Sequence, residues 1–463
     1  MTRAVAMRLG TSLLLALVAQ SAAAQEARSG RCLFNFRSLN PVGSPLLRVR
    51  QPSGQFNWWL GQRVRGECAA QQITVEADSV EFYGDTRLLY LIGNVDYREP
   101  RLTLKSQRLT YWLNDEHLRA EGNVDATLPS GTKLTGPEAD YYRPAPGIRT
   151  VSRMVAPRRP TILLIETDSA GRPSEPTTLV ANTVVMSNDS LVYAGGRVVI
   201  TRTDVIAYAD SAFMDGGREY ARLMRAPRIE GQGEDPFTLT GNLIELHGSQ
   251  RALSRVLSSG QARAVSEDVT LTSDTLDMRL ANSAMERVFA WGQSRARAVS
   301  PEYDIVADSL DVRMPAQRVR EVFAVGSAFA QSNPDTTRVR STEKDWLRGD
   351  TIIAHFDTLA APGDTSGRPR IRELVARGNA SSFYQVAARE GRISAPGVNY
   401  VRGRVITVMF EDQAVQAVRI TEQAAGVYLE PPGMLPGDTT NTGAPADSVR
   451  AGTRPPTSTG RAP

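Results

Sequence analysis

The sequence predicts an all-β protein built from tandem repeats of short antiparallel strands. From residue 73 onward one phrase recurs: an alternating strand, a turn, a second strand, and a glycine followed two residues later by a β-branched or small residue. The first copy runs from Ile73 to Val95 and the second from Leu102 to Val124. Period-2 alternation of threonine, valine and aromatic residues indicates strands, and glycine beside Asn or Asp indicates turns.

The composition excludes several classes of protein. The chain has 463 residues, of which 41% are hydrophobic, with only two cysteines and three histidines. A helical membrane transporter needs repeated apolar runs of about 20 residues. A disulfide scaffold needs many cysteines, and a histidine-ligated metal enzyme needs grouped histidines. The formal net charge of +4 is too balanced for a nucleic-acid-binding protein.

Residues 1–24 have the pattern of a secretory signal peptide. Arg3 and Arg8 precede an apolar run from Leu13 to Ala19, and Ala22 to Ala24 form a small-residue cleavage site before Gln25. The alternative is an uncleaved membrane anchor, which the shortness of the run disfavours. We therefore expect an exported protein.

Residues 25–71 are predicted to form an amino-terminal cap. They hold both cysteines, Cys32 and Cys68, and export to an oxidising compartment favours a disulfide between them. Metal binding is less favoured, because no histidine lies near either cysteine.

The repeat phrase divides the rest of the chain. Its two strong copies fill residues 72–143, and degenerate copies fill residues 178–430. Between them, residues 144–177 carry six prolines around one apolar run and are predicted to be an inserted loop. Residues 431–463 are Pro, Gly, Thr, Ser and Ala with almost no large apolar side chains, so we predict a disordered tail.

A repeat of about 30 residues cannot bury its own apolar face, but stacked neighbours can. With about 18 strands in each of two sheets spaced by ~4.8 Å, the array would be on the order of 85 Å long. The sequence therefore predicts a rod or trough rather than a globule.

The polar pattern does not indicate catalysis. Asp-Ser pairs recur, as in Asp78-Ser79 and Asp308-Ser309, but adjacent residues on a strand point to opposite faces. An aspartate is therefore badly placed to activate the neighbouring serine. The three histidines lie in different repeats. We expect structural Asp-Ser pairs, no catalytic residues, no metal and no cofactor.

The remaining candidate site is the apolar face of the strands. Its members either line a ligand groove or form an ordinary core, and the sequence leaves both open. They are Ile73, Val75, Val80, Phe82, Leu89, Leu91, Leu102, Leu104, Leu109, Tyr111, Leu239 and Leu271.

The phrase resembles a known repeat. The segments Ala77 to Val95 and Ser106 to Val124, each ending in Gly-Asn-Val, are similar to the OstA-like repeat of the lipopolysaccharide-transport proteins. This is the repeat of the LptA family, shared with LptC and the amino-terminal domain of LptD. The match is strong over residues 72–143, and the degenerate copies extend it to about 430.

The resemblance implies an extended antiparallel β-jellyroll, opened into a V-shaped trough that shields the acyl chains of lipopolysaccharide. It also implies a location in the periplasm, including association with the outer membrane. The implied partners are lipopolysaccharide, through its lipid A moiety, and LptC-like and LptD-like proteins joined end to end by strand stacking. No enzymatic activity is implied.

Two other hypotheses remain at this level. The first is a structural or adhesive β-solenoid of the cell envelope with a filled interior and no lipid cargo. The second is an enzyme that processes envelope polysaccharide, which would need a cluster of perturbed carboxylates in one cleft.

Overall fold

The computed structural model describes residues 32–40, 46–165, 176–203, 205–232, 236–249, 252–267, 269–281, 284–334, 336, 339–357, 370–386, 395–411 and 414–430. The predicted signal peptide and tail lie outside these residues. Over the described part the protein is all-β, as predicted, and its only helical segments are the 3₁₀ turns Ala69–Gln71 and Pro315–Gln317. None of the described residues forms a helix with the length and apolar character needed to cross a membrane.

The described residues form thirty strands, which pair into one large antiparallel sheet. They are β1 (Asn35–Ser38), β2 (Leu47–Arg50), β3 (Phe56–Leu60), β4 (Val64–Cys68), β5 (Ile73–Ala77), β6 (Ser79–Tyr83), β7 (Leu88–Glu99), β8 (Leu102–Trp112), β9 (His117–Thr127), β10 (Lys133–Tyr142), β11 (Arg153–Ala156), β12 (Thr161–Leu164), β13 (Thr177–Val180), β14 (Thr183–Ser187), β15 (Leu191–Thr201), β16 (Val205–Asp215), β17 (Tyr220–Met224), β18 (Arg228–Gly231), β19 (Phe237–Thr240), β20 (Leu243–Ser249), β21 (Ala252–Val265), β22 (Thr270–Ala281), β23 (Ala284–Val299), β24 (Tyr303–Arg313), β25 (Glu321–Ser332), β26 (Asp345–Asp357), β27 (Arg370–Val386), β28 (Gly397–Glu411), β29 (Ala414–Thr421) and β30 (Ala425–Leu429).

The strand pairing divides the sheet into two series of hydrogen-bonded strands that run side by side along the array. We call them ladder A and ladder B. The long strands β7–β10, β15, β16 and β21–β28 contribute one half to each ladder. The short strands β2, β3, β6, β11, β14, β17, β20 and β29 complete ladder A. The short strands β1, β4, β5, β12, β13, β18, β19 and β30 complete ladder B.

Each ladder therefore has 22 strands, of which fourteen are shared. At ~4.8 Å between strands, each ladder is about 100 Å long. The count exceeds the predicted 18 because one long strand serves both ladders and because the array begins before residue 72.

The long strands bend where the two ladders meet, and we call this line the corner. In β15 the pairing breaks between Gly195 and Val198, where Gly196 and Arg197 both have a positive φ. In β7 the same break falls at Gly93 and Asn94. The Gly-Asn-Val phrase is thus the sequence of a corner, because glycine and asparagine tolerate the left-handed conformation.

A polar side chain from the preceding strand packs over the corner glycine. The Asp78 carboxylate lies against Gly93, and Asn94 Nδ2 donates to Asp78 Oδ2 over 2.9 Å. The Asp78 N–H also donates to the Gly93 carbonyl at 2.9 Å. Asp308 lies in the same way against Gly326. The aspartates of these two Asp-Ser pairs therefore pack against the corner glycines and stabilise the corners.

The predicted loop at residues 144–177 is wrong in its central part. Residues 153–156 form β11 in ladder A, and residues 161–164 form β12 in ladder B. Pro157 and Pro160 lie between the two strands, where the chain passes from one ladder to the other. Proline interrupts a strand, but here the interruption coincides with the corner. Residues 166–175 lie outside the described residues.

The structure describes residues 32–40 and 46–71 of the predicted cap at residues 25–71, and they form the first strands of the array. Strands β1 to β4 continue the two ladders, since β4 pairs with β5 and β3 pairs with β6. A disulfide joins Cys32 to Cys68, whose Cα atoms are 5.8 Å apart, within the usual range for a disulfide. It attaches the segment before β1 to the end of β4.

The apolar core lies between the two ladders. Alternate residues of most strands are buried, as in Leu89, Leu91, Val95 and Tyr97 of β7. The bend keeps these residues on the inner side in both halves of the strand, and one continuous hydrophobic cluster contains residues of both ladders. The ladders therefore face each other, joined along the corner, with their other edges forming two rims.

Candidate functional site

All twelve residues predicted for the apolar site lie in the interior between the ladders. Eleven are buried and Phe82 is half-buried. Val80, Phe82, Leu89, Leu91, Leu109 and Tyr111 come from ladder A, and Ile73, Val75, Leu102, Leu104, Leu239 and Leu271 come from ladder B.

The interior is packed rather than open around most of these residues. Leu91 lies between Val80 and Leu109 on the adjacent strands, and all three are 0% exposed. An apolar ligand must therefore displace one ladder from the other. The corner and the rims decide how far the ladders can separate, because the backbone itself joins the ladders at the corner, whereas side-chain contacts such as Arg143–Glu99 join the described parts of the rims.

Aromatic rings fill the interior at the amino-terminal end. Phe36 of ladder B packs on Trp58 of ladder A with ring centroids 5.2 Å apart, and Trp58 stacks on Phe82 at 5.4 Å. Phe34 meets the edge of Tyr111 at 6.2 Å. These contacts hold the two ladders together next to the Cys32–Cys68 disulfide.

A buried ionic cluster joins the two rims near the same end, and we call it the rim latch. Glu99 ends the ladder B half of β7, and Arg143 follows the ladder A end of β10. Arg143 Nε donates to Glu99 Oε2, and Arg143 Nη1 donates to Glu116 Oε2, both at 2.5 Å. The side chains of Glu99, Glu116 and Arg143 are 4%, 12% and 11% exposed.

Tyrosines complete the rim latch. The Tyr141 hydroxyl donates to Glu99 Oε1 and the Tyr97 hydroxyl to Glu99 Oε2, both at 2.9 Å, and the Tyr111 hydroxyl donates to Glu116. Glu99 lies 44 residues from Arg143 in the chain, and no local pattern links them. Sequence reasoning therefore missed this site, although it placed Tyr111 in the interior.

The electrostatics of the rim latch follow from its burial. Desolvation, reinforced by the charge of Glu99, raises the pKa of Tyr97 well above 10. Burial likewise raises the pKa of Tyr111 and of Tyr141. Burial acts to lower the pKa of Arg143, but the surrounding tyrosines and carboxylates outweigh it and the pKa is raised. The guanidinium charge is therefore held at any physiological pH.

We expect the amino-terminal strands to lose stability as the pH rises above 10. An unfolded tyrosine ionises near pH 10, whereas Tyr97, Tyr111 and Tyr141 stay protonated to higher pH in the folded protein. Their contribution is fully present below pH 10 and is lost as pH rises through the raised pKa values. Tyrosinate absorbance and circular dichroism, followed together, should change cooperatively for these residues. Non-cooperative ionisation of every tyrosine near pH 10, with unchanged dichroism, would contradict this.

The three histidines lie on different strands, as the repeats suggested. His117 stacks between Trp112 and Tyr142, with centroids 4.5 and 4.3 Å away, and its Nε2 is 2.8 Å from Asp140. His355 pairs with Glu321 at 3.5 Å. Within the described ranges, no three His, Cys, Asp or Glu side chains group in a way that could hold a metal ion.

Among the described residues, the terminal strands at the two ends of the array each have one edge without a partner strand, and three of these strands carry exposed apolar side chains. At one end β1 and β2 are the terminal strands, and Leu47 and Val49 of β2 are exposed. At the other end β29 and β30 are terminal, and Val427, Tyr428 and Leu429 of β30 are exposed. Such edges are ready to pair with another strand.

No protein-family model matches this chain, and neither does any curated protein. The likeness to OstA-like proteins thus rests on the repeat phrase, whose glycines form the corners.

Proposed function

We propose that this chain is an exported bridge protein that binds lipopolysaccharide and shields its lipid A acyl chains during transport to the outer membrane. The observation that carries the proposal is the apolar interior, which follows two facing ladders for about 100 Å at ~4.8 Å per strand. Two ladders joined along a corner are compatible with the V-shaped jellyroll that the OstA-like repeat implies.

The energetics favour such cargo. Burial contributes about 0.8 kcal/mol per CH₂ group, so a chain of about 12 carbons gains roughly 10 kcal/mol on leaving water. The interior side chains that the acyl chain separates from each other make contact with the acyl chain instead. Separation of the ladders therefore exposes little apolar surface once the lipid is bound.

The proposal includes a periplasmic location and end-to-end assembly with LptC-like and LptD-like proteins. The exposed apolar side chains of β2, β29 and β30 support strand stacking at both ends. The proposal assigns no catalytic step to the chain, because carriage of a lipid needs a dry surface and no bond-making group.

A structural or adhesive scaffold is the second candidate, and the close packing of the interior favours it. Val80, Leu91 and Leu109 are 0% exposed, as expected of a core that never opens. The two functions differ in whether the interior admits a lipid.

Photo-crosslinking in cells separates the two. A photoreactive amino acid at Phe82, Leu104 or Leu271 should capture lipopolysaccharide, whereas one at Thr103, which is exposed beside Leu104, should not. Crosslinks to protein alone at all three interior positions would reject the transport function and favour the scaffold.

A further inference from the structure

A row of four arginines runs along the outer face of ladder A, near its rim. Arg255, Arg279, Arg287 and Arg313 lie directly opposite one another on the successive strands β21 to β24. Their side chains are 40–60% exposed. Like charges placed directly across adjacent strands repel each other. Four in succession therefore require negative charge beside them.

Two aspartates orient the row without neutralising it. Arg255 binds Asp277 through Nε at 2.7 Å and Nη2 at 3.0 Å. Two strands further, Arg287 binds Asp311 in the same way at 2.6 and 2.9 Å. The side chains of Asp277 and Asp311 are 3% and 11% exposed. These bidentate pairs fix two guanidinium planes about 10 Å apart, at two strand spacings.

The other two arginines supply the surplus charge. Arg279 reaches Asp277 only at 3.5 Å, and Arg313 reaches Asp311 at 3.3 Å. The row thus has four positive and two negative charges. Glu321, 3.4 Å from Arg313, reduces the surplus at the β25 end, and the charge of Glu245 acts on Arg255 at the β20 end.

We propose that this arginine row binds the phosphate groups of the lipid head group while the acyl chains occupy the interior. The inference rests on the proposed function. A head group must leave the interior at a rim, and the row lies at the ladder A rim, within two residues of the ends of β22 at Ala281 and of β24 at Arg313. Arginine offers paired N–H donors that match phosphate oxygens, and its charge is permanent.

The test variant removes Arg279 and Arg313 as Arg279→Gln and Arg313→Gln, which leaves both bidentate pairs intact. The control carries Arg263→Gln and Arg402→Gln on the exposed outer face of ladder B, with the same change in net charge. Purified lipopolysaccharide and its dephosphorylated form are the probes, and binding is measured to the mature chain.

We expect the test variant to bind phosphorylated lipopolysaccharide about tenfold more weakly, since charged hydrogen bonds are the strong ones. Its affinity for the dephosphorylated form should match that of the parent protein, and the control should behave as the parent with both. An equal loss of affinity in the control would mean that the effect comes from net charge and not from the position of the arginines. That result would overturn the proposal.

Failure of this inference and failure of the proposed function give different results. Unchanged binding by the test variant, together with interior crosslinks to lipopolysaccharide at Leu104, would reject the arginine row and leave the transport function standing. Absence of crosslinks and of binding by the parent protein would reject both.

Discussion

Replacement of Arg143 by methionine should lower the free energy of unfolding of strands β7–β10 by about 3–5 kcal/mol, the usual cost of removing one partner from a buried ion pair. The change leaves Glu99 and Glu116 facing each other without a counter-charge, and their side chains are only 4% and 12% exposed. It also removes the donor that joins the two rims.

Hydrogen exchange of β7–β10 is the appropriate measurement, because stability in a repeat array is local rather than global. Arg98→Met is the matched control. Arg98 pairs with Asp96 at 2.6 Å, but its side chain is 64% exposed, so water screens the pair and its loss should change the stability little. An equally small effect of Arg143→Met would show that the rim latch does not hold the ladders together.

Neutral partners refine this test. The triple variant Glu99→Gln, Glu116→Gln, Arg143→Met leaves no uncompensated charge, so it should recover much of the stability that Arg143→Met loses. If the interior carries lipid, the triple variant should also take it up near β7–β10 more readily, because no ion pair then joins the rims. A triple variant as unstable as the single one would assign the loss to packing around the Arg143 side chain.

Gly196→Ala should destabilise the region around β14–β16 by about 2–3 kcal/mol. Gly196 has φ +75° and a Cβ there would lie 2.5 Å from Asn182 Nδ2. A left-handed conformation costs a residue with a Cβ about 1–2 kcal/mol, and displacement of the Asn182 side chain adds to that. The Asn182 side chain would then no longer pack against the corner.

The adjacent glycine supplies the control. A Cβ at Gly195 would meet nothing within 4 Å, and its φ is not left-handed. Gly195→Ala should therefore be neutral or slightly stabilising, since alanine lowers the entropy of the unfolded chain. Local hydrogen exchange of β14–β16 compares the two variants. Equal effects at the two positions would mean that the corner does not depend on backbone conformation.

Much of the interior was predictable because strand alternation is a local property. Leu102 and Leu104 are separated by one residue, so they share a face whichever strands lie beside them. The same reasoning placed Leu239 and Leu271 inside, although their repeats are degenerate. The residues that join the rims have no such signal, since Glu99 and Arg143 meet only when β7 and β10 stack.

The prolines show where local rules mislead. Pro157 and Pro160 lie in a stretch that resembles a loop, and residues 153–164 nevertheless form two strands. Within a strand, proline is confined to edges and bulges, and a corner between ladders also interrupts the hydrogen bonds, as at Pro137 inside β10. The prolines do interrupt the strands, but the segment around them is still part of the sheet, because the corner is a tertiary feature.

By itself, the sequence determined the all-β class, the repeat phrase and the inward face of most strands, because each follows from alternation and turn residues within about ten positions. Only the tertiary structure decided that one long strand serves two ladders, that Asp78 packs over Gly93, and that Glu99, Glu116 and Arg143 join the rims. Those contacts depend on which strands stack, and stacking order is not encoded in any single stretch of chain.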